Sequence, residues 1–337
     1  MVRVWPDAVE VGYGALRRLR DIVYSVGESP LFISGPGKSR EICESLGIRP
    51  LVVDESTSKA AEGVAAAALS CDSIVAIGGG KVIDVGKMSA ERAGLPMVSV
   101  PTVLSGDGIA SPIAVIDGTS HKVSVPRALV CDLEIISGAP KRHNTAGAGD
   151  LLSNISSSWD WRRAHELGRD KDFNGLAAAM SETGALALVS EEPDLRCSDT
   201  LRALCQGLLL SGAAMALAGS SKPSSGSEHK ISHAMDRLFR GPGLHGEQTA
   251  LAAVFTTYLQ SNSHRESMIS FMRKLGLPTK PADLGLSFAD FARCVAEAPS
   301  TRPDRFTILE EVAPAGERLL GLIEEAFTHG SLAGQSL

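Results

Sequence analysis

The chain has 337 residues, more than one small hydrophobic core organises, so two domains are expected. Its formal net charge of −6 excludes the basic surface of a nucleic-acid binder, neither end reads as a signal peptide, and no apolar run reaches the roughly 20 residues of a membrane span. The six cysteines (Cys43, Cys71, Cys131, Cys197, Cys205, Cys294) are scattered without a CxxC pair, which excludes a disulfide framework or zinc knuckle and suits a reducing, cytoplasmic setting.

The first 140 residues alternate strand and helix signals. An apolar run at 30–33 ends in Ser34-Gly35-Pro36-Gly37-Lys38 and is followed by a helical stretch over 39–46. Strands follow at 51–53, 73–77 and 96–100, separated by helices at 58–69 and 82–93. Continuous apolar strands alternating with helices imply a parallel sheet covered on both faces. After the strand at 73–77 come Gly78, Gly79, Gly80 and Lys81, then Val82, Ile83 and Asp84 at a helix start. Such a glycine run lets backbone N–H groups close on a phosphate at the positive end of the helix; a tight β–α turn is the plainer alternative. The segment 101–112 carries Thr102, Ser105, Gly106, Asp107 and Ser111 at the carboxyl edge of the sheet, where open α/β sheets bind ligands. A hairpin is expected from 113–116 and 121–125, and a last strand at 128–132.

From about Pro140 strand signals vanish. Helices are expected at 150–165, 174–190, 198–218, 225–240, 247–260, 264–275, 288–297 and 314–328. The reading is an α/β Rossmann-like dinucleotide-binding domain with a parallel sheet over 1–140, followed by an all-α helical metal- and substrate-binding domain over 141–337. Within the helical half His229 and His233 stand four apart and share one helix face. Gly241-Pro242-Gly243 then breaks the helix, and His245 follows at the head of the next. A helix, a break and a second helix can aim two imidazoles at one point; the plainer alternative is a surface helix with stray histidines. Two histidines on a metal usually take a carboxylate as third ligand. Asp150, where small residues give way to a polar helix start, is the upstream candidate, and it could equally be an N-cap.

Several ordered motifs together resemble the superfamily of iron-containing alcohol dehydrogenases, glycerol dehydrogenases and dehydroquinate synthases. They are Gly78-Gly79-Gly80-Lys81-Val82-Ile83-Asp84, Ser99-Val100-Pro101-Thr102, the run from Ser105 to Pro112, Gly226-Ser227-Glu228-His229, Leu244-His245-Gly246-Glu247 and Arg302-Pro303-Asp304-Arg305. Within the superfamily the chain most resembles the sn-glycerol-1-phosphate dehydrogenases. The resemblance implies a dehydroquinate synthase-like fold and reduction of dihydroxyacetone phosphate to sn-glycerol 1-phosphate, a step of phospholipid biosynthesis. The hydride would come from NAD(P)H and pass to a metal-polarised ketone. It implies cofactor binding by Gly78, Gly79, Gly80, Lys81, Val82, Asp84, Thr102, Ser105 and Ser111. It implies one Zn²⁺, with Fe²⁺ or Ni²⁺ as substitutes, on Asp150, His229 and His245. His233 and Asp107 become catalytic, and Asp107, Asp150 and His233 face a small phosphorylated ketone or alcohol. A homo-oligomer, with no nucleic acid and no membrane span, completes the expectation. The other readings are a related polyol dehydrogenase and a dehydroquinate synthase-like cyclase, the latter normally with Glu as first ligand.

Two details stand apart. The resembling proteins commonly carry His before the Asp of the Ser-x-Asp-Gly motif; this chain has Gly106, which predicts a more open pocket. The first predicted strand ends without an acid until Glu41, while Lys38 and Arg40 stand where a 2′-phosphate could be met. Asp54 and Glu55, after the second strand, could instead serve the ribose of NAD. Dual cofactor use with a preference for NADPH is expected.

Overall fold

The computed structural model describes residues 3–328. Six parallel strands form one sheet in the order β1-β8-β5-β4-β2-β3. They are β1 (Ala8–Gly12), β2 (Pro30–Ser34), β3 (Leu51–Val52), β4 (Ser73–Gly78), β5 (Met97–Pro101) and β8 (Ala128–Asp132). Every residue of β4, β5 and β8 is buried, as expected of strands covered on both faces. The covering helices are α1 (Leu19–Val26), α2 (Lys38–Ser45), α3 (Ser58–Ala67) and α4 (Gly80–Ala93). The chain runs from β2 outward to β3, then returns to place β4 on the other side of β2. This reversal opens a crevice at the carboxyl ends of β2 and β4, where Gly35–Gly37 and Gly78–Gly80 leave the sheet.

The hairpin β6 (Ile113–Ile116) and β7 (Thr119–Lys122) turns earlier than expected. Asp117 and Gly118 both have positive φ (51° and 72°), the two-residue turn that an Asp-Gly pair favours, and it pulls the second strand back from 121–125. β1 and α1 lie outside the expected elements. Glu10 interrupts the apolar run of β1, an edge strand whose five residues are all half-buried.

The rest of the described chain is helical: α5 (Leu133–Ser137), α6 (Lys141–Glu166), α7 (Gly175–Val189), α8 (Ser198–Ala218), α9 (Ser227–Phe239), α10 (His245–Leu259), α11 (Arg265–Leu275), α12 (Phe288–Thr301), α13 (Ile308–Val312) and α14 (Gly316–Thr328). One buried cluster joins Leu129 and Cys131 of the sheet to Leu151 of α6, Leu204 of α8 and Val254 of α10. The absence of a span-length apolar run needs correction, because α8, at 21 residues, has the length and composition to cross a membrane. Most of its apolar stretch is buried instead, packed against α6 and α7, which explains the composition without a bilayer.

The largest correction concerns α6. It begins at Lys141, nine residues before the expected start, so Asp150 lies well inside a 26-residue helix and is no N-cap. Gly147 and Gly149 weaken the helix signal locally, yet both are required by contact. A Cβ at 147 would lie 1.8 Å from the Leu104 carbonyl oxygen, and one at 149 would lie 2.2 Å from the Gly246 carbonyl oxygen. Glycine here brings α6 into backbone contact with the 101–112 loop and with the start of α10.

Candidate active site

Three helices converge on one point. Asp150 comes from α6, His229 from the first turn of α9, and His245 is the first residue of α10. One ligand atom from each lies within 4.8 Å of the others, and Asp150 Oδ1 is 3.7 Å from both His229 Nε2 and His245 Nε2. Donor atoms held about 2.0–2.2 Å from one ion fall in this range of mutual separation.

Each side chain is oriented from behind. His229 Nδ1–H donates to Glu228 Oε1 at 2.8 Å, and the same oxygen accepts the Gly226 N–H at 2.7 Å. Ser232 donates to Gln248 Oε1 at 2.6 Å, so its oxygen accepts from His245 Nδ1–H at 3.2 Å. Both rings thereby keep the Nε2 lone pair free toward Asp150. Asp150 is 7 % exposed; its Oδ2 accepts the Asp107 N–H at 3.2 Å, which leaves Oδ1 for the histidines. The start of α10 is fixed by Arg142, whose guanidinium grips both oxygens of Glu247 at 2.7 Å, while Glu247 Oε2 caps the Leu244 N–H at 2.7 Å.

The electrostatics match the geometry. Burial holds the His229 imidazole well below its ordinary value, and the protein packed around the His245 ring lowers that group too, although its side chain keeps 47 % of its surface exposed; the neutral imidazole is the form that ligates. His233, one turn beyond His229 on the same face, is pulled down to about 3 by burial and by the other two imidazoles. Its ring centroid is 6.4 Å from that of His245. Burial raises Asp107 and Asp150, and their acidic neighbours raise them further. Two neutral nitrogen donors facing a buried carboxylate whose charge lacks a counter-ion form a donor set that a divalent cation would satisfy.

The 101–112 loop links this cluster to the sheet edge. Thr102 N–H donates to Gly78 O at 3.0 Å, Leu104 N–H to Asn144 Oδ1 of α6 at 2.9 Å, and Ser211 Oγ to Asp107 Oδ2 at 2.8 Å. Gly80 faces Ser105, since a Cβ at 80 would lie 3.5 Å from Ser105 Oγ. Gly78, Gly79, Gly80, Lys81, Thr102 and Ser105 therefore share one edge, where the Gly80 and Lys81 N–H groups open α4 while those of Val82 and Ile83 both donate to Gly79 O, at 3.0 and 3.1 Å. Val82 is buried; a Cβ at 78 would lie 2.8 Å from its side chain, so Gly78 is required by packing. Ser111 is also buried, its hydroxyl donating to Ile113 O at 3.4 Å. Asp84 is 3.1 Å from the buried Lys87 Nζ, which also donates to Gly108 O at 2.8 Å and to Ile113 O. Lys87 thus pins the stretch that follows Asp107 to α4 at two points. A lysine inside an amphipathic helix carries no sequence signal for that role, and Ser211, in the apolar α8, carries none either. Glu228 was legible only as the acid beside a candidate ligand.

Gly106 does not open the pocket. A Cβ there would lie 2.7 Å from Asp150 Oδ2, so the space freed by glycine is filled by the Asp150 carboxylate.

A doubly wound sheet with a glycine-rich edge is bridged by one loop to a His-His-Asp cluster among helices. The sequence profile described as "iron-containing alcohol dehydrogenase" matches residues 36–140. The fold is shared with a probable glycerol dehydrogenase from Sinorhizobium meliloti 1021, at a TM-score of 0.78 and 23 % identity over 96 % of this chain and 98 % of that one. The glycerol-1-phosphate dehydrogenase [NAD(P)+] of Pyrococcus furiosus is 36 % identical over 307 residues, 86 % of this chain and 88 % of that protein. That of Methanospirillum hungatei is 35 % identical over 96 % of this chain and 92 % of its own length. The chain belongs to the glycerol-1-phosphate dehydrogenase family.

Proposed function

We infer that the protein is an NAD(P)-linked, metal-dependent oxidoreductase that reduces dihydroxyacetone phosphate to sn-glycerol 1-phosphate. The observation that carries the reading is the convergence of Asp150, His229 and His245 beside the loop that bears Asp107, in a chain of this family. The division of labour assigns residues 1–140 to the cofactor and 141–337 to metal and substrate.

Asp150, His229 and His245 would hold Zn²⁺, or Fe²⁺ or Ni²⁺ in its place. When bound, the cation supplies Lewis acidity toward the ketone oxygen and the nicotinamide supplies the hydride. The chain's own residues do the rest. Gly78, Gly79, Gly80 and Lys81 present N–H groups and the positive end of α4 to the pyrophosphate, with Thr102 and Ser105 on the same edge. Asp84 and Val82 shape that edge from below, and Ser111 supports the loop from inside. Asp107, oriented by Ser211, is placed to accept a substrate hydroxyl. His233, neutral through burial, serves as a relay that accepts a proton at one ring nitrogen and releases one at the other. Free thiols throughout the described chain support a cytoplasmic enzyme, and exposed Leu176 and Tyr24 support a homo-oligomer.

The test is a steady-state assay of the Zn²⁺-loaded protein with dihydroxyacetone phosphate and NADPH or NADH. Turnover is expected, with a product that an enzyme specific for the mirror-image 3-phosphate leaves untouched. Turnover of unphosphorylated ketones alone overturns the substrate. His245→Ala is expected to lose both metal and activity, and full metal occupancy in that variant removes His245 from the ligand set.

A further inference from the structure

The segment between α12 and α13 is tied to α9 at two points beside His229. Thr301 Oγ1, at the last residue of α12, donates to Lys230 O at 3.3 Å, and Lys230 Nζ donates to Arg305 O at 2.6 Å. Arg305 is itself anchored, its guanidinium donating to Ser225 O and, at 3.1 Å, to Ser221 Oγ. The five-residue course from Thr301 to Arg305 is therefore fixed against the turn of α9 that follows His229. Arg302 projects from it half-buried, close enough that its charge disfavours protonation of both His229 and His233.

Three neighbouring cations are paired with carboxylates, and Arg305, without one, spends its guanidinium on Ser225 O and Ser221 Oγ inside the fold. Lys230 pairs with Glu310, Arg237 with Glu297 and Lys222 with Asp170, each at 2.5 Å. Arg302 has no carboxylate within 4.0 Å among the described residues. An always-charged guanidinium, rigidly based and unpaired beside a reaction centre, is a site for an anion, and its planar fork matches phosphate in a two-bond grip.

We propose that Arg302 binds the phosphate of the substrate and sets the preference for a phosphorylated over an unphosphorylated ketone. The assignment rests on the functional reading above and adds to it the residue that recognises the phosphate. The cofactor's phosphates belong to the glycine edge, which starts a helix of the other half of the chain. On this view Arg302 anchors the far end of the ketone while His233 and Asp107 address the carbon that reacts.

The test compares kcat/KM for dihydroxyacetone phosphate and dihydroxyacetone in the metal-loaded enzyme. Arg302→Ala is expected to lower the ratio of the two by about 10–100-fold, chiefly through KM for the phosphorylated ketone. Arg302→Lys keeps the charge without the fork and falls between. An equal loss on both ketones, or a loss that appears in KM for NADPH, overturns the assignment. Inorganic phosphate titrated onto the cofactor complex gives a readout free of turnover. Arg302→Ala is expected to weaken its binding by a similar factor, and unchanged binding also overturns the assignment. If wild type prefers dihydroxyacetone yet binds phosphate through Arg302, the substrate reading fails and the phosphate site stands.

Discussion

Glycines at the two edges of the candidate site differ in what their missing side chain makes room for. At 147, 149 and 246 the space is taken by another backbone: a Cβ at 246 would lie 1.8 Å from Ala146 O, as close as the one at 147 to Leu104 O. At 79 and 80 the nearest atoms to an added Cβ are side-chain tips at 3.3 Å and 3.5 Å, and the surface is that of a helix start. The first set brings Asp150 to His229 and His245 by letting α6, α10 and the 101–112 loop touch. The second leaves an approach for a ligand. One residue type thus serves rigidity in the helical half and access at the sheet edge, and only the neighbours tell which.

The sharpest way to break this contrast is Gly147→Ala. In a free helix the change would stabilise by up to about 1 kcal/mol. Here it is expected to destabilise by about 3 kcal/mol, as overpacking against backbone does, measured by urea unfolding. A gain in stability would mean the helix–loop contact yields easily and the cluster does not depend on it.

Glu228→Gln tests the support behind the ligands. A neutral amide holds His229 less firmly and makes it less basic, so metal affinity is expected to fall by roughly 10–100-fold in a chelator competition. Unaltered affinity would show that the 2.8 Å contact to Nδ1 is incidental. Gly106→Ala is predicted to displace the Asp150 carboxylate from the Asp107 N–H and weaken metal binding about tenfold, the worth of one charge-assisted hydrogen bond. If affinity is retained, Asp150 has another position from which to ligate.

At the sheet edge, Gly79→Val is predicted to keep the fold while raising cofactor KM about tenfold, because a branched side chain then stands where the pyrophosphate approaches. A folded variant with unchanged cofactor affinity would reduce the glycine run to a turn. The smallest effect is expected from Lys38→Ala. Lys38 sits in an exposed pair with Glu41 at 3.0 Å, and Arg40 in one with Glu44 at 2.9 Å. Exposed pairs are worth about 0–1 kcal/mol, so a 2′-phosphate can compete for Lys38. The ratio of kcat/KM for NADPH over NADH is predicted to fall about two- to fivefold; an unchanged ratio makes Lys38 ordinary surface.

Chain order alone carried the alternating strands and helices of the first half, because buried parallel strands are continuous apolar runs and glycine marks their ends. It also carried His229, His233 and His245 as one group, since a helix face and a Gly-Pro-Gly break are local. The meeting of those histidines with Asp150 was open, because the residue looked like a helix cap until α6 was seen to start nine residues earlier. The cause is physical. Gly147 and Gly149 lower helix propensity, and what offsets that loss is contact with Leu104 and Gly246, which are distant in sequence. Gly106 follows the same logic: read by itself it opened a pocket, and in the fold it admits a carboxylate. The sequence by itself determined the central strands, most of the helices, the likeness and the residue types of the chemistry. The tertiary structure alone decided which glycines are contacts, which cations beside the histidines lack a carboxylate partner, and which buried groups orient Asp150, His229 and His245. Those outcomes depend on distances between segments that no local pattern encodes.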